Sequence, residues 1–170
     1  GDLSSDVCSS DLLNIRAGAY KADLDFSGVP ITNLEIADGA SEAKVLFASP
    51  NPVRMQTFKY TTGASNVEIK GLSNANIDIF TFLGGAGSAI LDFSGNLMGN
   101  MSVEISSGVG TIRIRVPEGT HCVLHTQGEL VDIDNDGWGK DGKLYETPGE
   151  GYTIDIVVNM SVGSLQLELD

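Results

Sequence analysis

Asp132, Asp134 and Asp136 stand at alternate positions ahead of Gly137, a spacing that could hold a metal ion. Carboxylates so placed before a glycine turn form the first half of an EF-hand calcium loop. The second half departs, because Lys143 stands where a bidentate glutamate belongs and no helical pattern flanks the segment. Calcium would need Asp141 or Glu146 to complete an irregular site; the alternative is an acidic, solvated turn. No other cofactor is expected. A second calcium pattern fails outright: in GGAGSAILD, Gly84 to Asp92, Ala89 replaces the aspartate of a β-roll repeat and nothing recurs nine residues on.

His121, Cys122 and His125 lie within five residues. In an extended segment the two histidines share one face and the cysteine takes the other, so three zinc ligands cannot converge from this strand alone. The expectation for His125 is burial against a neighbouring strand. Nucleophilic catalysis needs a nucleophile, a histidine and an orienting acid, and no nucleophile-elbow motif accompanies the two histidines. A polysaccharide-cleaving site would need paired carboxylates, for which Asp92, Asp132 and Asp134 are the candidates. Arg113 and Arg115 make a charge ladder with those aspartates the preferred reading, and a non-enzyme is expected. Trp138, the single tryptophan, sits between Gly137 and Gly139 with Tyr145 and Tyr152 nearby. It is the partner-contact candidate, although a fold-back that caps an open end of the core is the preferred role.

A repeat must position these residues. Gly18, Gly39, Gly63, Gly85, Gly108, Gly128 and Ser161 recur at spacings of 21, 24, 22, 23, 20 and 33 residues. Before each anchor, at five, three and one residues, lie apolar or small residues such as Leu34/Ile36/Asp38, Phe58/Tyr60/Thr62 and Val123/His125/Gln127. After it, at four, six and eight, lie sets such as Ala43/Val45/Phe47 and Ile112/Ile114/Val116. Period-two alternation marks a strand with one buried face. The set after Gly128 slips by one and puts Val131 and Ile133 inward, the signature of a bulge. Glycine at the anchor fits positive φ or a close backbone approach. No segment shows a convincing helical period. The pattern predicts an all-β, parallel β-solenoid of about seven two-strand rungs with essentially no helix. A β-sandwich of short strands is the alternative.

Composition narrows the function classes. The chain has 170 residues, 10 basic and 23 acidic, for a formal charge of −13. An acidic surface disfavours nucleic acid and direct adhesion to anionic membranes. No apolar run approaches the ~20 residues that span a bilayer. The opening Ser4 to Leu12, SSDVCSSDL, reads as one frame of a widely used short-read sequencing adapter. Residues 1–12 are therefore expected to be non-native and unstructured, and residues 13–170 to form a single β-solenoid repeat domain. Setting aside Asp2, Asp6 and Asp11 takes the charge from −13 to −10, and without Cys8 the chain keeps Cys122 alone. The native start is then unknown, and membrane contact is expected only through an N-terminal anchor not present here.

GGAGSAILDFSG, VEISSGVGTIRIRVPEG and IDIVVNMSVGSLQLEL resemble the toast-rack domains of bacterial envelope proteins. These include the C-terminal domain of proteins responding to cell-wall-active antibiotics, and related adhesin-like proteins. GWGKDGKLYETPGEGYTIDI is similar to that family's final insertion. The resemblance is strongest over residues 80–170, and it specifies fold better than function. It implies an extracytoplasmic, non-catalytic sensory, interaction or adhesive module of the cell envelope, whose partner is an envelope protein or a cell-wall component. It assigns no catalytic residue. A calcium-stabilised adhesion module and a polysaccharide-active β-helix are the alternatives.

Overall fold

The computed structural model describes residues 12–128 and 130–170. The adapter reading lies outside the described residues except for Leu12, which opens the first strand and pairs with Asn33. Ten strands follow one another: β1 (Leu12–Asp25), β2 (Asn33–Leu46), β3 (Met55–Lys70), β4 (Ile77–Asp92), β5 (Met101–Val116), β6 (Gly119–Gln127), β7 (Leu130–Asp136), β8 (Gly139–Asp141), β9 (Leu144–Thr147) and β10 (Gly149–Leu169). No helix occurs among the described residues. β1 to β5 stack in parallel, and each runs through its anchor as one bent strand rather than two. The Cα register skips at the anchors, Gly18 against Gly39, then Gly63, Gly85, Gly108 and Ser161, so the anchors mark the bend of every rung.

The inward positions on both sides of the bend face a shared core. Leu34, Ile36, Val45, Phe58, Tyr60 and Ile69 are each 3% exposed or less, as are their counterparts in β4, β5 and β10. Aromatic rings stack along the rod: Phe47 and Phe58 have centroids 6.1 Å apart, Phe58 and Phe80 4.9 Å, and Tyr60 and Phe82 5.8 Å. Turns close the third side, held by a ladder of asparagines. Asn51 Nδ2 donates to the carbonyls of Ile31 (2.8 Å) and Ala75 (3.2 Å), and Asn74 Nδ2 donates to Phe47 O (2.9 Å). The long FASPNPVRMQTF turn thus carries a side chain that satisfies two buried backbone carbonyls, groups that would otherwise cost ~1–3 kcal/mol each.

The rungs do not stack in sequence order. β10 pairs with β5 on one side and with both β6 and β7 on the other, so the seventh rung along the chain is sixth in space. Arg113 and Arg115 are therefore not flanked by Asp132 and Asp134. Arg113 Nε lies 2.8 Å from Gln166 Oε1, and Arg115 Nε lies 2.8 Å from Glu168 Oε2. The charge ladder exists, with β10 rather than β7 as its partner.

A second correction falls on the β6–β7 rung. Gln127 pairs with Asn159 and Leu130 with Val162, so Gly128 falls level with Met160 and not with the Ser161 anchor. The inward residues ahead of it are consequently Cys122 and Leu124, both fully buried, and not Val123, His125 and Gln127. His125 is exposed. Val131 and Ile133 pack against the core as expected, through a shift of the whole rung.

Candidate functional site

The bend carries a polar cluster inside an otherwise apolar rod. Asp38, the residue before Gly39, is 9% exposed and is the buried charged side chain among the described residues. The two flanking rungs supply its donors. Tyr20 of β1 donates to Oδ2 at 3.1 Å and Tyr60 of β3 at 2.8 Å, while Thr62 and Ser65 of β3 donate to Oδ1, the latter at 3.2 Å. Ser41 extends the network to Ser65 at 2.9 Å. A carboxylate with two donors on each oxygen is the arrangement that a buried charge requires. Burial, together with the nearby carboxylate, pushes the Tyr60 hydroxyl far above its usual range and raises that of Tyr20. Beyond this cluster the bend changes character. Gly87, Gly110 and Gly163 take the place of Ser41 and Ser65, with φ of +117°, +147° and +141°. The space left beside Thr62, Ser65, Ser107 and Thr111 is about 10 Å³, the size of one water position. The cluster ties rungs together and leaves no room for a substrate.

His121 and Cys122 are also structural. His121 Nδ1 lies 2.9 Å from Thr153 Oγ1, and His121 Nε2 lies 2.9 Å from Glu146 Oε1. An acid, an imidazole and a hydroxyl in a string resemble a nucleophilic relay. Here they bridge β6, the β8–β9 hairpin and β10 on an open surface, where the Glu146 side chain is 52% exposed. Cys122 is fully buried; desolvation first, and the charge of Asp155 second, push its thiol up, so it is neither nucleophile nor ligand.

Asp132, Asp134 and Asp136 occupy the outward face of β7, an extended strand rather than a loop. Alternate outward residues stand ~7 Å apart, whereas calcium ligands converge to within ~2.5 Å of one ion. Among the described residues no three His, Cys, Asp or Glu side chains are placed to share a metal. These aspartates lie along a solvent-exposed strand face. Asp92 is separated from Asp132 and Asp134 by β5 and β10, three strand spacings or ~14 Å, wider than glycoside chemistry uses.

Trp138 is 5% exposed and belongs to the core, so it does not present its ring to a partner. Its backbone N–H donates to Asn135 Oδ1 (3.1 Å) and its carbonyl accepts from Asn135 Nδ2 (2.9 Å), closing the turn. The indole N–H is buried with no hydrogen-bond partner. Trp138 is thus held in the core beside the turn that Asn135 closes.

The outer surfaces are what remains open. The face before the bend carries a shallow hollow of about 360 Å³ over Ile79, Ser102, Glu104, Asp155 and Val157. Sequence reasoning missed Asp38 as a hub, although a lone carboxylate at an inward position was the available signal. It also missed the His121–Glu146 pair, which no spacing rule foretells.

Comparison with known proteins gives a fold and no family. No family model matches the chain, and no curated protein matches it. Among solved structures, it is similar to the crystal structure of a putative cell adhesion protein from Clostridium sporogenes, at 14% identity and a TM-score of 0.62. The match covers 94% of this chain and 92% of that one. At that identity the likeness establishes a shared backbone course.

Proposed function

We propose that this chain is a non-catalytic, extracytoplasmic module of a bacterial cell-envelope protein, of the toast-rack type, and that its work is adhesive. The observation that carries the reading is the backbone course shared with a putative cell adhesion protein over 94% of the chain. The geometry supports it: a stiff stack of rungs offers flat outer faces, while its polar clusters serve to bind rung to rung. The partner is an envelope protein or a cell-wall component, met on an outer face or an end. The test is saturable binding of the labelled chain to bacterial cells and to isolated cell-wall material, run beside a screen for polysaccharide turnover. Binding without turnover is the expected result. Turnover that disappears on Asp132→Asn and Asp134→Asn, or the absence of binding to either preparation, would overturn it.

A further inference from the structure

We infer that this chain forms a two-fold dimer through its outer face before the bend, with Lys59 of each copy seated beside Glu104 of the other. The inference goes beyond the adhesive reading and does not rest on it. Four observations carry it.

The first is where charge lies. Each strand of β2 to β5, β10 and β6 turns three residues outward before the bend, from Asn33, Glu35 and Ala37 at one end to Val123, His125 and Gln127 at the other. Of these eighteen positions four carry a formal charge: Glu35, Lys59, Glu104 and Asp155. The corresponding eighteen after the bend, with β7 in place of β6, carry eleven. Depletion of charge, rather than bulk apolarity, sets the centre of a protein interface apart.

The second is apolar surface in the middle of that face. Ile79 is 46% exposed, and Leu83 on the same strand and Val157 two strands away are partly exposed. Threonines and serines fill the space between them: Thr57, Thr61, Thr81, Ser102 and Ser106. β4, β5 and β10 lie three rungs or more from β1, so this centre does not depend on what stacks there.

The third is that the charges left on the face are unmatched within the chain and matched across a two-fold axis. Among the described residues Lys59, Glu104 and Asp155 make no side-chain hydrogen bond and no ion pair. Glu35 meets Arg16, and on the other face Glu68 meets Lys70 while Glu168 meets Arg113 and Arg115. Lys59, Thr81 and Glu104 share one register row across β3, β4 and β5, so Lys59 and Glu104 stand ~5 Å to either side of Thr81. An axis through Thr81, normal to the sheet, exchanges their two places. It sets each Lys59 opposite the other copy's Glu104 and each Ile79 opposite the other copy's Leu83, a self-complementary contact.

The fourth is shape. The hollow of about 360 Å³ over Ile79, Ser102 and Val157 is rimmed by Glu104 and Asp155, and no basic residue lines it. The same axis brings the other copy's Lys59 over this hollow. Six strands by five residues give a footprint of roughly 29 Å by 17 Å, or ~500 Å². That is less than the ~800 Å² per partner of a standard interface and suits a weak dimer. The paired charges fix its register more than its strength.

The experiment is sedimentation velocity of the full chain from ~1 to ~500 µM, where a monomer–dimer equilibrium with a Kd of ~10–100 µM is expected. Lys59→Glu and Glu104→Lys should each weaken self-association at least ~tenfold. An equimolar mixture of the two variants should dimerise about as well as the parent, because each swapped charge then faces its opposite. Glu68→Lys, on the other face, should leave the dimer unchanged. Thermal melts of all three variants should match the parent, which separates lost association from lost folding. A chain that stays monomeric throughout the range would overturn the dimer. So would association that both single variants retain, or a mixture of the two that stays monomeric. A monomeric chain that loses cell binding on Ile79→Glu would also overturn it, and would assign the face to the envelope partner. Charge-swap rescue in a chain that binds no cells would uphold the dimer and sink the adhesive reading alone.

Discussion

Replacing Asp38 by alanine tests whether the bend is held by a carboxylate or merely tolerates one. The substitution removes the acceptor of four hydroxyls. Thr62 and Ser65 still reach each other, and Tyr20 is partly exposed and can turn to water. Tyr60 cannot, because it is fully buried. An orphaned hydroxyl costs ~1–3 kcal/mol and the vacated space adds ~1 kcal/mol, so Asp38→Ala should cost about 2–4 kcal/mol. That is a large share of the ~5–15 kcal/mol of a typical domain. The signature is non-additivity. Tyr60→Phe should cost ~1–2 kcal/mol in the parent chain, where it removes a bond to the carboxylate, and nothing in the Asp38→Ala background, where it removes the orphan. Urea unfolding of the four chains, at unchanged m value, reads the coupling. Equal effects of Tyr60→Phe in both backgrounds, or an Asp38→Ala loss under ~0.5 kcal/mol, would refute the hub.

The same cluster sets an alkaline limit. Tyr60 holds its proton in the fold well above the value near 10 at which an unfolded tyrosine loses it, so stability should fall as pH rises beyond 10, and Tyr60→Phe should flatten that fall in a denaturant titration. Ile114 is fully buried and Arg113 faces outward, so Ile114→Asp should abolish folding while Arg113→Ser costs under ~1 kcal/mol; circular dichroism of both chains decides, and equal effects would reverse the face assignment. Trp138→Ala should cost ~3–5 kcal/mol through the cavity it opens, and Trp138→Phe much less, since it also removes a buried N–H without a partner. Millimolar calcium should leave the thermal melt in place, because the Asp132, Asp134 and Asp136 carboxylates diverge along a strand; a calcium-dependent rise would restore the metal reading.

The columns were legible because each rung repeats the same physical demand. Leu34, Phe58, Phe80 and Val103 recur at one offset from a glycine, and a period of two admits only one buried face. The β6–β7 rung differs where that demand loosens: its register is one residue off the Gly128 anchor, so an anchor chosen for being glycine moves the whole inward set onto Val123 and His125. Asp38 was legible as a member of a column but not as a hub, because its donors come from Tyr20, Tyr60, Thr62 and Ser65 on two other rungs. Trp138 allows two readings from its local sequence, of which the fold-back is the stronger, and its burial is what bears on the choice.

Strand order is the feature that columns cannot encode, and it decides how the end of the rod beyond β10 is finished. Had the rungs stacked in sequence, β10 would be terminal and would leave 21 residues of unpaired edge. Placing β10 between β5 and the β6–β7 rung buries both edges of the longest strand. What remains at that end is a strand of 9 residues and one of 7. The first is covered by β9, and the second carries three outward aspartates, two recognised ways of blunting an edge. Inserting the last strand into the stack is thus what finishes that end of the rod.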